Sequence, residues 1–153
     1  MECKFCAGAP AWLIKKYKFW TVYLQKNQSY LGRTVIVLNR HEADFLFTTD
    51  EERIEFYHIS YKMREVIKSA FGAAAFDYML PNTKEQHAHM LIIPRYAQRT
   101  TFAGTVFEDL QYGKHFDPYR EVTLQNEVYT KIINTIREIA GPSTKEKQKK
   151  LKS

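Results

Sequence analysis

Seven residues, His87-Ala88-His89-Met90-Leu91-Ile92-Ile93, read as a buried strand that Pro94 stops, since proline cannot continue a hydrogen-bonded ladder. Side chains alternate across a strand, so His87, His89 and Leu91 share one face, with neighbours about 6 to 7 Å apart. Two imidazoles aimed into one pocket point to a nucleophile or to metal chemistry rather than to packing.

The rest of the chain supplies the elements such a strand needs. Phe19 to Leu24 and the β-branched Arg33 to Leu38 read as strands, and the polar loop Gln25 to Gly32 between them is placed to feed amide side chains into a pocket. A short helix is expected over Glu42 to Phe47. Thr49 and Glu52 form a capping box that opens a long helix to about Ala70, with Ile54, Tyr57, Tyr61, Ile67 and Phe71 as its apolar side. Ala73 to Met79 is a further strand, antiparallel to the one at His87. Residues 96 to 121 show no clear period and are expected to be a long irregular excursion. Thr123 is read as the cap of a last helix, about 124 to 140, with Leu124, Val128, Ile132, Ile136 and Ile139 on one face and Gly141-Pro142 at its end. Strands, helix, strands, helix is the order of an α+β domain with a mainly antiparallel sheet.

At 153 residues the chain reads as a single domain over 1 to 142, and hydrophobic residues make up an ordinary 44%. No apolar run approaches the roughly 20 residues that span a bilayer, so a soluble, cytoplasmic protein is expected. The net charge of +6 is uneven: five lysines and one glutamate in residues 145 to 153 contribute +4, leaving +2 for the body. Residues 143 to 153 are expected to be a disordered basic tail, either a solubilising end or a weak contact for nucleic acid. Cys3 and Cys6, spaced C-x2-C, are the only cysteines. A disulfide of that spacing would staple little, whereas two thiolates can hold half of a tetrahedral metal site. Reduced thiols near the N-terminus are the alternative.

Three motifs in order, namely Cys3-x2-Cys6, the stretch Asn27 to Arg33 leading to Arg40-His41, and His87-Ala88-His89 followed by Ile92-Ile93-Pro94-Arg95, resemble the histidine triad (HIT) superfamily over about residues 1 to 96. The resemblance implies a sheet of about five strands with a long central helix and a C-terminal helix. It further implies a homodimer that binds nucleotides and acts at the α-phosphate, as a hydrolase or nucleotidyltransferase on dinucleoside polyphosphates or nucleoside phosphoramidates. His89 falls on the middle histidine of the motif and inherits the role of nucleophile. Gln25, Gln28, Asn82 and Arg95 are the implied nucleotide and phosphate contacts. Cys3, Cys6, His41 and His87 are the implied ligands of a structural zinc, with His115 in reserve and His58 expected at the surface or core edge.

Leu91 departs from the pattern, because the third position is histidine, or glutamine in the transferase branch. Leucine can neither donate a hydrogen bond nor protonate a leaving group, and losing one such donor typically costs about two to three orders of magnitude in rate. The alternative function is therefore a catalytically weak domain that serves as a nucleotide-binding sensor or interaction module.

Overall fold

The computed structural model describes residues 2–8, 10 and 12–141, so the basic tail lies outside the described residues. A four-residue helix α1 (Lys4–Ala7) precedes β1 (Leu13–Lys16), β2 (Trp20–Leu24) and β3 (Thr34–Leu38). The long helix α2 (Asp50–Phe71) leads to β4 (Ala75–Met79) and β5 (His89–Arg95), then to a hairpin of β6 (Thr100–Phe102) and β7 (Thr105–Phe107), and to α3 (Asn126–Ala140). The five-stranded sheet has the order β1-β2-β3-β5-β4 and every pair is antiparallel. This is the expected α+β architecture, with β1 as a strand the sequence reading missed. Among the described residues no helix is long and apolar enough to cross a membrane.

Register divides the sheet into two faces. Val22, Ile36 and Met90 lie side by side and face the helices, in one core with Met63 and Ile67 of α2 and Ile132 and Ile136 of α3. Val37 and His89 pair on the opposite face, as do Val35 and Leu91. There a smaller cluster forms from Tyr30, Ile93 and Phe116, with Leu91 against it. The sheet therefore buries its helix side in a shared core and leaves its other side to carry polar chemistry.

Several local expectations need correction. Pro94 does not stop the strand; β5 runs through it and pairs Phe76 with Pro94. Ala88 bonds toward β3 and Arg95 toward the β4 side, so by alternation the missing N–H of Pro94 falls on the β3 side, beyond the last registered pair, Thr34 with Ile92. The helix expected at Glu42 to Phe47 contracts to one 3-10 turn, Phe45–Phe47, because the Glu42 carbonyl accepts from Ala88 N at 2.7 Å and holds that segment against the approach to β5. The capping box of α2 is present, but its inward side is Ile59, Met63, Val66, Ile67 and Phe71. Ile54, Tyr57 and Tyr61 are exposed, a second stripe at the same helical spacing that faces away from the sheet.

The last helix starts at Asn126 rather than near Thr123. The Tyr129 hydroxyl accepts from Leu124 N at 3.1 Å and donates to Lys26 O at 2.6 Å, which keeps Leu124 in the loop. Ile139 is exposed, and Tyr129, stacked on Trp12 with centroids 4.4 Å apart, takes its place among the packed residues. Within the excursion at 96 to 121, Ala103 and Gly104 take φ of 50° and 74° and turn the β6–β7 hairpin.

Gly32 fixes how closely the loop before β3 approaches α2. Its φ is +84°, and a Cβ there would lie 3.1 Å from Ile67 Cγ2 and 3.1 Å from Phe71 Cδ2. Gly32→Ala combines left-handed strain with a clash against the core, and should lower stability by about 2 kcal/mol in urea unfolding. A loss below a few tenths would mean that the loop shifts freely.

Candidate metal centre and active site

The N-terminal knuckle gathers the two cysteines. Cys3 caps α1, and its carbonyl accepts from Cys6 N and Ala7 N at 3.1 and 2.9 Å, folding one turn that brings both sulfurs to one side. His41 follows β3, where the Arg40 guanidinium grips the buried Glu52 carboxylate through Nε at 2.7 Å and Nη2 at 3.1 Å. That grip holds the Glu52 carboxyl below the usual carboxylate range. It also fastens the exit of β3 to the first turn of α2, with Trp20 Nε1 donating to Glu52 O beside it.

His87 sits just before β5, 2% exposed. Its Nε2 lies 2.7 Å from Leu38 O; a carbonyl only accepts, so Nε2 carries the proton and Nδ1 is left with a lone pair. Burial also pushes His87 below the ordinary histidine value, toward the neutral form that ligates metals.

Four ligand atoms then meet: Cys3 Sγ and His87 Nδ1 are 3.3 Å apart, Cys6 Sγ and His41 Nδ1 3.4 Å, Cys6 Sγ and His87 Nδ1 3.6 Å, and the two Nδ1 atoms 3.3 Å. All four lie within 4.8 Å of one another. Zinc bonds of about 2.3 Å to sulfur and about 2.05 Å to nitrogen in a tetrahedron require ligand separations of about 3.5 Å for S to N and about 3.3 Å for N to N. The four separations match what such a tetrahedron requires. Cys3 raises the pKa of the adjacent Cys6 thiol, a penalty that a bound divalent cation reverses. His58 and His115 are exposed and outside this group; His115 Nδ1 lies against Phe116 O at 2.6 Å.

His89 is turned differently from His87. Its Nδ1 donates to His87 O at 2.5 Å, so Nε2 carries the lone pair. The Phe5 ring packs 5.1 Å from His89 and 5.5 Å from His87, a contact with no signal in the sequence beyond an aromatic residue between the two cysteines. His89 borders a cavity of about 220 Å³ with Asp44, Phe45, Leu46, Leu80 and Asn82. Apolar walls with one amide, one carboxylate and one imidazole suit a flat ring bearing polar edges.

The other residues expected to touch phosphate are not gathered there. Gln28 is fully buried and its amide is consumed in its own loop, donating to Gln25 O and Arg33 O and accepting from Gly32 N. Gln25 lies across from Arg33 at the far end of the sheet face, with Oε1 2.7 Å from Arg33 Nε. Arg95 is a brace for the excursion. Its Nε and Nη2 hold Asp109 at 2.6 and 3.1 Å, Nη1 holds Asp77 at 2.8 Å, and it donates to Lys114 O and Gln111 O. Every nitrogen is committed, so the pairing that the motif surroundings left open goes to carboxylates. Asp109→Asn keeps the shape but removes the charge, and should lower stability by about 2 kcal/mol without changing metal content. An unchanged thermal midpoint would show that the pair is not needed to hold the excursion.

The sequence matches no family model and no curated protein. Solved structures do share the fold. A histidine triad protein from Sinorhizobium meliloti superposes with a TM-score of 0.70 at 12% identity, over 83% of this chain and 87% of that one. A hypothetical histidine triad nucleotide-binding protein from Sulfolobus tokodaii gives 0.65 at 19%, over 84% and 83%. A zinc-bound histidine triad family protein from Mycobacterium smegmatis gives 0.64 at 17%, over 90% and 94%.

Proposed function

We propose that this chain, whose α+β fold is that of the histidine triad proteins, binds nucleotides in the pocket beside His89 and acts at the α-phosphate as a hydrolase or nucleotidyltransferase. The observation that carries the reading is the hydrogen bonding of His89: Nδ1 is committed to the His87 carbonyl, which leaves the lone pair on Nε2 of a residue that borders the cavity. The fold shared with a protein described as nucleotide-binding supports it. In the reaction, Nε2 forms a bond to phosphorus as the bond to the leaving group breaks and the leaving group departs with the electron pair. The ring then carries a positive charge, and the Nδ1–H bond to His87 O strengthens. Water or another acceptor attacks phosphorus, the P–N bond breaks, its pair returns to Nε2, and the acceptor's proton passes to solvent. Asn82 is exposed and lines the same cavity, which supports its assignment as a ligand contact.

Cys3, Cys6, His41 and His87 would hold a zinc ion, which closes a four-ligand shell and supplies structural support with no open position for chemistry. The reading includes a cytoplasmic homodimer. Support for pairing comes from β4, the last strand of the sheet, where Tyr78 and Met79, and Leu80 just after them, are exposed.

Intact-mass measurement after incubation with a panel of dinucleoside polyphosphates and nucleoside phosphoramidates tests the chemistry. A nucleotidyl adduct that maps to His89, and is lost in His89→Ala, is the expected result. Leu91 favours a second reading, a nucleotide-binding sensor or interaction module. Tight nucleotide binding with no adduct on any substrate would select it.

A further inference from the structure

Two buried arginines stand on the face of the sheet opposite the helices, and their surroundings differ. Arg95, 4% exposed, is neutralised by Asp77 and Asp109. Arg33 is 7% exposed, yet among the described residues no carboxylate pairs with it. Its Nε donates to the neutral amide oxygen of Gln25, while Nη1 is buried with no hydrogen-bond partner among the described residues. The Ser29 hydroxyl, also buried, has no partner among the described residues either. Burying a guanidinium without a counter-charge is costly, and burial pushes the Arg33 pKa down accordingly. A fold that assigns two carboxylates to one arginine and none to the other leaves the second ready for an anion from outside.

Its place is set by register. Val37 and Val35 pair with His89 and Leu91, and by alternation Arg33 continues that row on the same face, about 13 Å along the strand from Val37. Tyr30 lies beside Arg33 and packs in the cluster that includes Leu91 and Ile93. Arg33 is thus beyond Leu91 as seen from His89. A long side chain there answers a gap left by Leu91, which cannot protonate a leaving group. A leaving group that departs as a phosphate anion needs no proton but gains from a fixed cation.

We propose that Arg33, oriented by Gln25, is an anion-binding residue that receives a phosphate of the bound nucleotide beyond the one facing His89, and so selects ligands with an extended phosphate chain. The proposal rests on the reading of the His89 pocket as a nucleotide site. Calorimetric titration of full-length protein with ATP and with AMP tests it, since the ratio of the two affinities cancels the contribution of the base. Carried out in His89→Ala, the titration needs no chemistry, so a failure of adduct formation and a failure of this site remain distinguishable. ATP is expected to bind at least tenfold more tightly than AMP, and Arg33→Met to bring the ratio to within about twofold of unity, with Arg33→Lys intermediate. Arg33→Met should also raise the thermal midpoint of the ligand-free protein, because it removes an uncompensated buried charge. An unchanged ratio in Arg33→Met overturns the proposal. So does a fall in both affinities by the same factor together with a lower midpoint, which would make Arg33 a structural brace.

Discussion

Protein purified without chelator is expected to carry one zinc per chain, and Cys3→Ser or His41→Ala to abolish it, with a stability loss of about 4 kcal/mol when free zinc stands near a thousandfold its Kd. For a chain of this size that corresponds to a drop of roughly 10 to 15 °C in thermal midpoint. The loss should be local in origin. Helix α1 buries none of its residues and is only one turn long. Among the described residues, the knuckle is tied to the sheet by the Phe5 ring contacts and by the meeting of its two sulfurs with His41 and His87. The main core between sheet and helices contains none of the four ligands. Chelation should therefore abolish amide protection over residues 2–8 while β2, β3, β5 and α2 stay protected, which hydrogen exchange would read directly. Wild-type protein without zinc, or a Cys3→Ser variant with an unchanged midpoint, would remove the four-ligand centre.

The cluster of potential metal ligands was legible in two steps: the C-x2-C turn brings its own sulfurs together, and the family resemblance, not local pattern, pointed to His41, which follows β3, and His87, which precedes β5. The amides and cations were not legible, because a side chain's partner depends on contacts across the sheet. Gln28 closes its own loop, and Arg95 meets Asp109, a residue from the segment read as irregular. The same distance from local pattern hid β1, whose Lys15-Lys16 offers no alternation, and the choice between two apolar stripes on α2. Spacing gives a helix its faces, and tertiary packing decides which one turns inward.

His89→Ala is expected to lower turnover by four to six orders of magnitude, of the order seen when a covalent nucleophile is removed, while nucleotide affinity changes little. Geometry separates this effect from the metal. His89 and His87 are neighbours on one face, but His89 spends Nδ1 on the His87 carbonyl and is absent from the four-ligand group. Its replacement should leave zinc content intact. His87→Ala, by contrast, removes a ligand and should lose zinc, stability and activity together. The Nδ1 bond matters most after attack, when the ring is cationic and a hydrogen bond to a charged group contributes about 1.5 to 3 kcal/mol. Without a donor at Leu91, turnover should depend on how readily the leaving group departs unprotonated. Substrates that release phosphate anions should outpace those that release amines, and Leu91→His should narrow that gap by restoring a proton donor. Turnover in His89→Ala within tenfold of wild type would place the chemistry elsewhere. Equal rates for both leaving-group classes in the wild type would show that unassisted departure of the leaving group does not limit turnover.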